Sequence, residues 1–392
     1  MPTAAAIGWS HGRHALEFVR FVVSDISKDE EHCDCYLHCS YVSLNIILYH
    51  GYHISNVNNV QHSIPTRTQV TVTITKPDSG HTQSRLRVVL VAAFRTGSTF
   101  TGQLLNQDPR MFYLFEPFRV VSDMIKNGDI DKSLENSTKF ELIENIFNCR
   151  FPAYFVHHIR RWGLAAHESN SLKGVCNQYG GCKNTTPEKL SESCTMYEHI
   201  GVKVIRLESL QLLEPLVRYD TNLKVLHLVR DPRGVVSSRK YMYKNANNRS
   251  INTMGHLRAD LKAYCQRMVE MLRVVSDPPE WLEGRYKILR YEDTATDPIN
   301  SVKSIYKFLN LPLPENVTDW IDNNTKEDHN VKSVMGTKKN STAAAQSWRS
   351  RLIYDDVNIV QHLSPCLELM DLMGYKRMDS QSHMRNLSYR SF

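Results

Sequence analysis

The chain has 392 residues, of which 41% are hydrophobic, so it can bury a large core in one domain without requiring a second. Its formal net charge of +7 suits an anionic ligand, but no long run of lysine and arginine and no nucleic-acid-binding signature occurs, so we expect no nucleic-acid partner. None of the nine cysteines forms a C-x-x-C pair, which argues against a zinc ribbon or a thioredoxin-like motif.

Cysteines and glycosylation sequons together favour a lumenal protein. Nine cysteines are more than a cytosolic enzyme of this size usually needs, and they predict some disulfides. A single Asn-x-Ser/Thr sequon means little, but the chain has seven of them. They begin at Asn136, Asn184, Asn248, Asn316, Asn323, Asn340 and Asn386.

Residues 1–84 carry few structural signals, and we interpret them as an N-terminal stem. A membrane-spanning helix needs about 20 consecutive apolar residues. Ala15–Val23 and Tyr36–Ile54 are both interrupted by charged or polar residues, and neither resembles a cleavable signal peptide. Val70–Thr75 alternates β-branched residues and predicts a short strand. A histidine and cysteine cluster lacks a standard zinc spacing, so we expect no metal there: His32, Cys33, Cys35, His38 and Cys39.

A strand, a polar turn and a helix follow. Val88–Phe94 is free of charge and rich in β-branched residues, which predicts a strand buried on both faces, as in a parallel sheet. Gly97 in the turn lets the backbone approach an anion, and the free amides at the start of the helix point at that anion. Ser98 and Thr99 add hydroxyl donors, and Arg95 adds a charged fork. The segment therefore predicts a phosphate site.

This turn differs from the Walker-type loop of nucleoside triphosphatases. No Gly-x-x-x-x-Gly-Lys-Ser/Thr sequence occurs, so the usual cradle for a triphosphate and magnesium is missing. The alternative interpretation is an ordinary strand-to-helix turn with an arginine on the surface.

Phe112–Phe118 is an apolar, aromatic run that contains one acid, Glu116. Low-dielectric surroundings raise the proton affinity of a carboxyl group, so we expect the pKa of Glu116 to be raised. The alternative is a structural glutamate in a salt bridge, with Arg119 as a candidate partner.

Residues 127–148 are polar with a helical segment, and a stretch rich in turn-forming residues continues to Glu198. This stretch predicts a disulfide-tied lobe over the edge of the sheet, where an acceptor could be recognised. Its four cysteines leave the pairing open: Cys149, Cys176, Cys182 and Cys194.

A second anion motif follows a second buried strand. Ile200–Ile205 predicts a strand, and Leu223–Val229 predicts another. Asp231 suits a helix N-cap, with a proline in the first turn behind it. Arg230 at the end of the strand and Ser238 two helical turns later are expected to border a crevice at the carboxyl edge of the sheet, where open α/β sheets bind ligands. Two such sites suit a ligand with two separated phosphates.

The remaining elements complete an α/β pattern. Their predicted bounds are a helix over Leu207–Tyr219 with a kink near Pro215, a helix over Gly255–Val275, a strand over Tyr286–Leu289, a helix over Ile299–Leu309, a loop over Lys338–Arg351 and a last helix over Asp355–Met373. Cys265 and Cys366 lie on two of these helices and are candidates for a disulfide. The tail after Arg377 is expected to be disordered.

Arg95-Thr-Gly-Ser-Thr-Phe100 resembles the 5′-phosphosulfate loop of the Golgi carbohydrate sulfotransferases, and Arg230-Asp-Pro-Arg-Gly-Val-Val-Ser-Ser238 resembles their 3′-phosphate motif. In order and spacing the chain is similar to the branch that sulfates the 6-hydroxyl of galactose, N-acetylglucosamine or N-acetylgalactosamine. The resemblance covers about residues 85–377. Further matching segments are Leu114–Phe118, Arg290–Asp293 followed by Asp297-Pro298, Asn340–Arg349, and Cys366 with Met373–Lys376.

The resemblance implies a three-layer αβα fold with a central parallel sheet and a P-loop-like phosphosulfate-binding turn. It implies 3′-phosphoadenosine 5′-phosphosulfate as the sulfate donor and no metal. Two catalytic residues are implied: Glu116 as the base for the sugar hydroxyl, and Arg95 to neutralise charge on the bridging and leaving oxygens. Arg230 and Ser238 would bind the 3′-phosphate. The 5′ end would be held by Arg95, Thr96, Gly97, Ser98, Thr99 and Phe100. Lys339, Trp348 and Arg349 are candidate donor contacts in a loop that closes over the nucleotide in relatives; the alternative there is a mobile, glycosylated surface loop.

The resemblance also implies a cellular compartment, a partner and an assembly for the enzyme. It predicts a type II membrane protein of the Golgi lumen with a glycan acceptor, of the keratan or chondroitin type or on a glycoprotein, and a homodimer as a candidate assembly. Residues 1–84 would be the stem, 85–377 the catalytic domain and 378–392 the tail. Two departures occur: Thr96 and Thr99 replace serines, which keeps the hydroxyls, and no convincing anchor is evident. A P-loop-like kinase and a glycan-binding protein without catalysis remain alternatives.

Overall fold

A computed structural model of the chain describes residues 85–245, 254–326 and 336–392. The predicted stem over residues 1–84, the Val70–Thr75 strand and the cluster from His32 to Cys39 lie outside these ranges.

A parallel sheet of five strands forms the centre of the described residues, in the order β2-β3-β1-β4-β5. The strands are β1 (Arg87–Val91), β2 (Met111–Phe115), β3 (His199–Val204), β4 (Leu223–Val229) and β5 (Tyr286–Arg290). Val89 of β1 lies beside Val202 on one side and Val225 on the other. The prediction of an α/β fold around a parallel sheet is confirmed, and β1, with the anion motif at its end, is the central strand.

Helices connect the strands and cover the sheet. They are α1 (Ser98–Asn106), α2 (Arg119–Asn127), α3 (Glu135–Phe147), α4 (Ala153–Arg161), α5 (Gly163–His167), α6 (Asn170–Gln178), α7 (Pro187–Thr195), α8 (Glu214–Tyr219), α9 (Pro232–Asn245), α10 (Met254–Ser276), α11 (Tyr291–Thr296), α12 (Pro298–Leu309), α13 (Glu315–Thr325), α14 (Ser341–Gln346), α15 (Trp348–Arg351), α16 (Tyr354–His362), α17 (Ser364–Met373) and α18 (Gln381–Arg385).

The alternating side chains of β1 show the layers. Val89 and Val91 belong to a buried cluster with residues of α9 and α10, whereas Val88 and Leu90 belong to a second cluster with residues of α1 and α12. Successive side chains of a strand point to opposite faces of the sheet. Helices therefore pack on both faces, and all four valine and leucine side chains are fully buried.

Two predicted helices are each divided. The predicted helix over Leu207–Tyr219 is a 3-10 turn, Leu210–Leu213, followed by α8. The predicted helix over Asp355–Met373 is α16 and α17, which separate at Leu363. Pro365 lies in the first turn of α17, where the amide of a residue has no partner within the helix, so its missing hydrogen costs no hydrogen bond. The same proline prevents α16 from continuing into α17.

The expectation of a loop over Lys338–Arg351 is wrong, because this segment folds as α14 and α15. The side chain of Asn340 caps α14 by accepting a hydrogen bond from the amide of Ala343 at 2.9 Å. The hydroxyl of Ser341 donates to the carbonyl of Ala295 at 2.6 Å, which holds α14 against α11.

The expectation of a disordered tail is also wrong. Met378 and Met384 are buried, and Met384 lies within α18. The guanidinium of Arg349 donates to the backbone carbonyls of Met384 at 2.8 Å and Tyr389 at 2.9 Å, and also to that of Asn386 at 2.5 Å. Two apolar side chains and one buried arginine thus fix the tail against α15.

Disulfides Cys149–Cys194, Cys176–Cys182 and Cys265–Cys366 are present in the described part of the chain. The candidate pair between α10 and α17 is therefore confirmed, and the open pairing of the lobe is settled. Within the described ranges, no helix has both the length and the apolar character that a membrane crossing needs.

Candidate active site

The carboxyl ends of β1 and β4 bring the two predicted anion motifs together. The strands are neighbours, with Val91 beside His227, so the turns that follow them leave the sheet side by side. Arg230 donates a hydrogen bond from Nη1 to the backbone carbonyl of Arg95 at 3.0 Å. Arg95 in turn donates from Nε to the hydroxyl of Ser238 at 3.0 Å. The three predicted site residues from two distant segments therefore form one contiguous group.

The turn after β1 presents the start of α1 to a cavity. Gly97 is the N-cap of α1 with a φ of 92°, and no side chain caps the helix. Gly97, Ser98 and Thr99 line the cavity, so the unsatisfied amides of the first helical turn are available to an anion there. Thr96 has a different position, because its buried hydroxyl donates to the carbonyl of Ala93 at 2.8 Å and closes the turn.

Tyr291 joins the two motifs from the end of β5. Its ring packs so closely on Gly97 that a Cβ atom at this position would lie 2.2 Å from the ring. The guanidinium of Arg230 lies 4.2 Å from the centroid of the same ring. Neighbouring Arg290 forms an ion pair with Asp293 at 2.7 Å. The segment from Arg290 to Asp293 therefore acts as packing for the site.

The cavity has a volume of about 510 Å³ and contains most of the predicted residues. Its lining includes Arg95, Gly97, Ser98, Thr99, Phe100, Glu116, Arg230 and Ser238, together with Tyr291, Lys339 and Arg351. Of the predicted donor contacts, Thr96, Trp348 and Arg349 are not among the residues that line it.

Trp348 and Arg349 lie behind the wall of the cavity. Each is 1% exposed. The ring of Trp348 lies against the guanidinium of Arg233 at 4.3 Å, and Arg349 binds the carbonyls of the tail. From the same segment, Ser347, Ser350 and Arg351 line the cavity instead. The residues of this segment that face the cavity are therefore neighbours of the predicted ones, because α15 turns its other face to the cavity.

Positive charge dominates the cavity. Burial and the charge of Arg230 lower the pKa of Arg95 to about 10. Lys339 is accessible through the cavity, but protein atoms replace part of the water around its amino group. This desolvation, together with the charges of Arg230 and Arg95, lowers the pKa of Lys339 to about 8. Glu116 is the one carboxylate among the described lining residues. A cavity with so little compensating negative charge is suited to an anionic ligand.

Glu116 follows β2 in a left-handed conformation, with a φ of 49°. Its two carboxylate oxygens accept from Nζ of Lys203 at 2.9 Å and from Nη1 of Arg206 at 2.9 Å. Burial raises the pKa of Glu116, but these two cations lower it by more, so the pKa lies below its usual value. The expectation of a raised pKa is wrong. Glu116 forms two salt bridges, but not with Arg119, which pairs with Asp123 at 3.4 Å; the choice between a base and a purely structural glutamate stays a prediction.

Two functional neighbours were missed by the sequence analysis. Lys203 is a fully buried residue of β3, and a charge within a strand expected to be buried is a signal that a partner exists elsewhere. Arg206 follows the same strand and offered no such signal. Among the described residues, no group of three or more histidine, cysteine, aspartate or glutamate side chains could hold a metal ion.

Comparison with known proteins gives consistent matches. Residues 85–374 match the family model described as Sulfotransferase domain. Carbohydrate sulfotransferase 1 of Danio rerio is 30% identical over 346 residues, which cover 78% of this chain and 81% of that protein. Carbohydrate sulfotransferase 3 of Homo sapiens is 30% identical over 340 residues, which cover 78% and 70%. Among solved structures, the sulfotransferase domain from the Synechococcus PCC 7002 olefin synthase is 15% identical, with a TM-score of 0.42, and the match covers 77% of this chain and 99% of that domain.

Proposed function

The chain belongs to the sulfotransferase domain family, within its carbohydrate sulfotransferases, and we propose that it transfers sulfate from 3′-phosphoadenosine 5′-phosphosulfate to a sugar. The acceptor group in this proposal is the 6-hydroxyl of a galactose, N-acetylglucosamine or N-acetylgalactosamine residue in a glycan. One observation supports the donor most strongly: Arg95 and Arg230, at the ends of adjacent strands, line a single cavity and are joined by a 3.0 Å hydrogen bond.

The donor has a phosphosulfate at its 5′ end and a phosphate at its 3′ end. In the proposal, the start of α1 binds the 5′ end through the amides of Ser98 and Thr99, with the charge of Arg95 beside them. Arg230 and Ser238 bind the 3′-phosphate, which distinguishes this donor from ATP. Lys339 adds a further cation to the same cavity. Trp348 and Arg349 have no direct donor contact in this proposal.

The proposed transfer is in line, so positioning and charge stabilisation supply most of the catalysis. The acceptor oxygen forms a bond to sulfur while the bond between sulfur and the bridging phosphate oxygen breaks, and adenosine 3′,5′-bisphosphate leaves. Arg95 stabilises the charge that grows on the leaving oxygens. The hydroxyl proton passes to Glu116, which is ionised at neutral pH because Lys203 and Arg206 lower its pKa. The transfer needs no metal.

The compartment in the proposal is the Golgi lumen, in a type II membrane protein with a glycan as partner and with a homodimer as the candidate assembly. Disulfides are typical of oxidising compartments, and the described residues contain Cys149–Cys194, Cys176–Cys182 and Cys265–Cys366. We propose residues 85–377 as the catalytic domain and the segment after Arg377 as a tail that braces it.

The proposal is tested with the sulfate donor labelled with radiosulfate. Purified full chain is incubated with oligosaccharides that end in galactose, N-acetylglucosamine or N-acetylgalactosamine, and the products are analysed for the sulfated position. Label in the 6-position of at least one sugar is the expected result. Label in none, or transfer of phosphate from ATP to the same sugars, would contradict the proposal.

A matched pair of variants tests the base. Glu116→Gln is expected to abolish most turnover, but it also leaves the buried Lys203 without its partner, which is costly. The double variant Glu116→Gln with Lys203→Met removes that unpaired charge. Recovery of stability without recovery of turnover would support Glu116 as the base, whereas recovery of both would contradict this role.

A further inference from the structure

A second cavity, of about 290 Å³, lies next to the candidate active site. The two cavities share Phe94 and Ile205 in their walls. Arg206 lines the second cavity, and its guanidinium is the one that donates to Glu116 at 2.9 Å. The second cavity therefore begins one side chain away from the proposed base.

Three arginines and two carboxylates line this second cavity, and they differ in exposure. The side chains of Arg206, Arg239 and Arg267 are 28%, 5% and 23% exposed. Those of Glu208 and Asp260 are 58% and 53% exposed. Ion pairs with such exposed carboxylates contribute little, so an anion that enters the cavity can replace them as the partner of Arg239 and Arg267.

Arg239 adds a positive charge to the wall of this cavity. Its Nη2 donates to the carbonyl of Phe94 at 3.1 Å and its Nη1 pairs with Asp260 at 3.0 Å. Its Nε is buried and has no hydrogen-bond partner within the described residues. The charge of this guanidinium is therefore compensated, among the described residues, by only one carboxylate, Asp260, which is 53% exposed.

We propose that the second cavity binds an acidic substituent, a carboxylate or a sulfate ester, on the sugar next to the one that accepts sulfate. The inference rests on the proposed function, because Glu116 defines where the accepting hydroxyl lies. A glycan with that hydroxyl at Glu116 reaches Arg206 with its neighbouring residue. A negative substituent on this residue meets three arginines, whereas a neutral one leaves Arg239 and Arg267 with their exposed partners.

The test uses three acceptors that share one accepting sugar and differ in the neighbouring sugar, which is neutral, carries a carboxylate or carries a sulfate ester. The measured quantity is kcat/KM for each, and the preference is its ratio between an acidic and the neutral acceptor. Wild type is expected to prefer one or both acidic acceptors, which also identifies the source of the charge. Arg267→Gln is expected to lower the preference about tenfold, because it removes one charged partner.

Two further variants separate recognition from structure. Glu208→Gln removes the exposed carboxylate that competes for Arg267, so it is expected to raise the preference about twofold to threefold. Arg273→Gln is the control, because Arg273 lies on the same helix and also pairs with a glutamate, Glu368, but lies outside the cavity. It is expected to leave every kcat/KM unchanged.

The outcomes distinguish the two proposals. Three results would overturn the proposed role of the second cavity while leaving the proposed function intact. The first is an equal kcat/KM for all three acceptors. The others are a preference for acidic acceptors that Arg267→Gln leaves unchanged, or one that Glu208→Gln lowers. Transfer to none of the acceptors would overturn both.

Discussion

Replacing Gly97 by alanine tests the contact that joins the two anion-binding segments. The φ of Gly97 is 92°, and a Cβ atom there would lie 2.2 Å from Cδ2 and 2.3 Å from Cε2 of Tyr291. The ring has little freedom to withdraw, because it is buried and the guanidinium of Arg230 lies on it at 4.2 Å. Gly128 provides a matched control, since its φ is 80° and a Cβ atom there would meet nothing within 4 Å.

Two separate contributions lower the free energy of unfolding. Alanine in the left-handed region costs about 1–2 kcal/mol, and this is the whole cost expected for Gly128→Ala. Overpacking against the ring adds about 1–3 kcal/mol, so Gly97→Ala is expected to cost about 2–5 kcal/mol. Displacement of Tyr291 also moves Arg230, so we expect the affinity for adenosine 3′,5′-bisphosphate to fall at least about tenfold in Gly97→Ala, by about 1.4 kcal/mol of binding free energy.

Urea denaturation measures the free energy of unfolding of both variants, and titration calorimetry measures the binding of adenosine 3′,5′-bisphosphate. Gly128→Ala is expected to bind this nucleotide as wild type does. The reasoning would be refuted if the two alanine variants lost equal stability and both kept wild-type affinity.

Three further predictions concern single side chains. The pKa of Lys339 is about 8 in the free protein, and nearby phosphates raise it, so affinity for adenosine 3′,5′-bisphosphate should fall as the pH rises above about 8, by up to about tenfold per pH unit. Calorimetry between about pH 7 and 9.5 should show a flatter profile in Lys339→Gln. Glu116→Gln should lower kcat by about 10²–10⁴-fold in the radiosulfate assay, with affinity for the nucleotide product unchanged. Arg349→Met removes three hydrogen bonds to tail carbonyls, and it should cost about 3 kcal/mol in urea denaturation and make the tail the first site of limited proteolysis.

Elements with strong local signals were predictable. The mainly apolar run Leu223–Val229 is β4 with the same bounds, because the run ends at Arg230 and Pro232 begins the next helix. The strand-to-helix turn at Gly97 was predictable as well, because glycine readily adopts its φ of 92°; the ring of Tyr291 that packs on Gly97 was not predicted. In each case the chemistry of a few consecutive residues determines the conformation.

Properties that depend on distant residues were not predictable. The pKa of Glu116 is set by Lys203 and Arg206, which lie 87 and 90 residues away in sequence. The position of Arg349 depends on the carbonyls of a tail that carried no helical signal of its own. Sequence reasoning identified the correct segment in both cases, but the face that each side chain presents is decided by packing.

The central claim is that one cavity binds both ends of a single nucleotide, with Arg230 at the 3′-phosphate. The most direct measurement compares the dissociation constants of adenosine 3′,5′-bisphosphate and adenosine 5′-monophosphate for wild type and Arg230→Gln. The account predicts that Arg230→Gln raises the dissociation constant of the bisphosphate by about tenfold to a hundredfold, as expected for the loss of a charged hydrogen bond. The dissociation constant of the monophosphate should change by no more than about twofold. Equal weakening of both nucleotides, or no change in either, would contradict it.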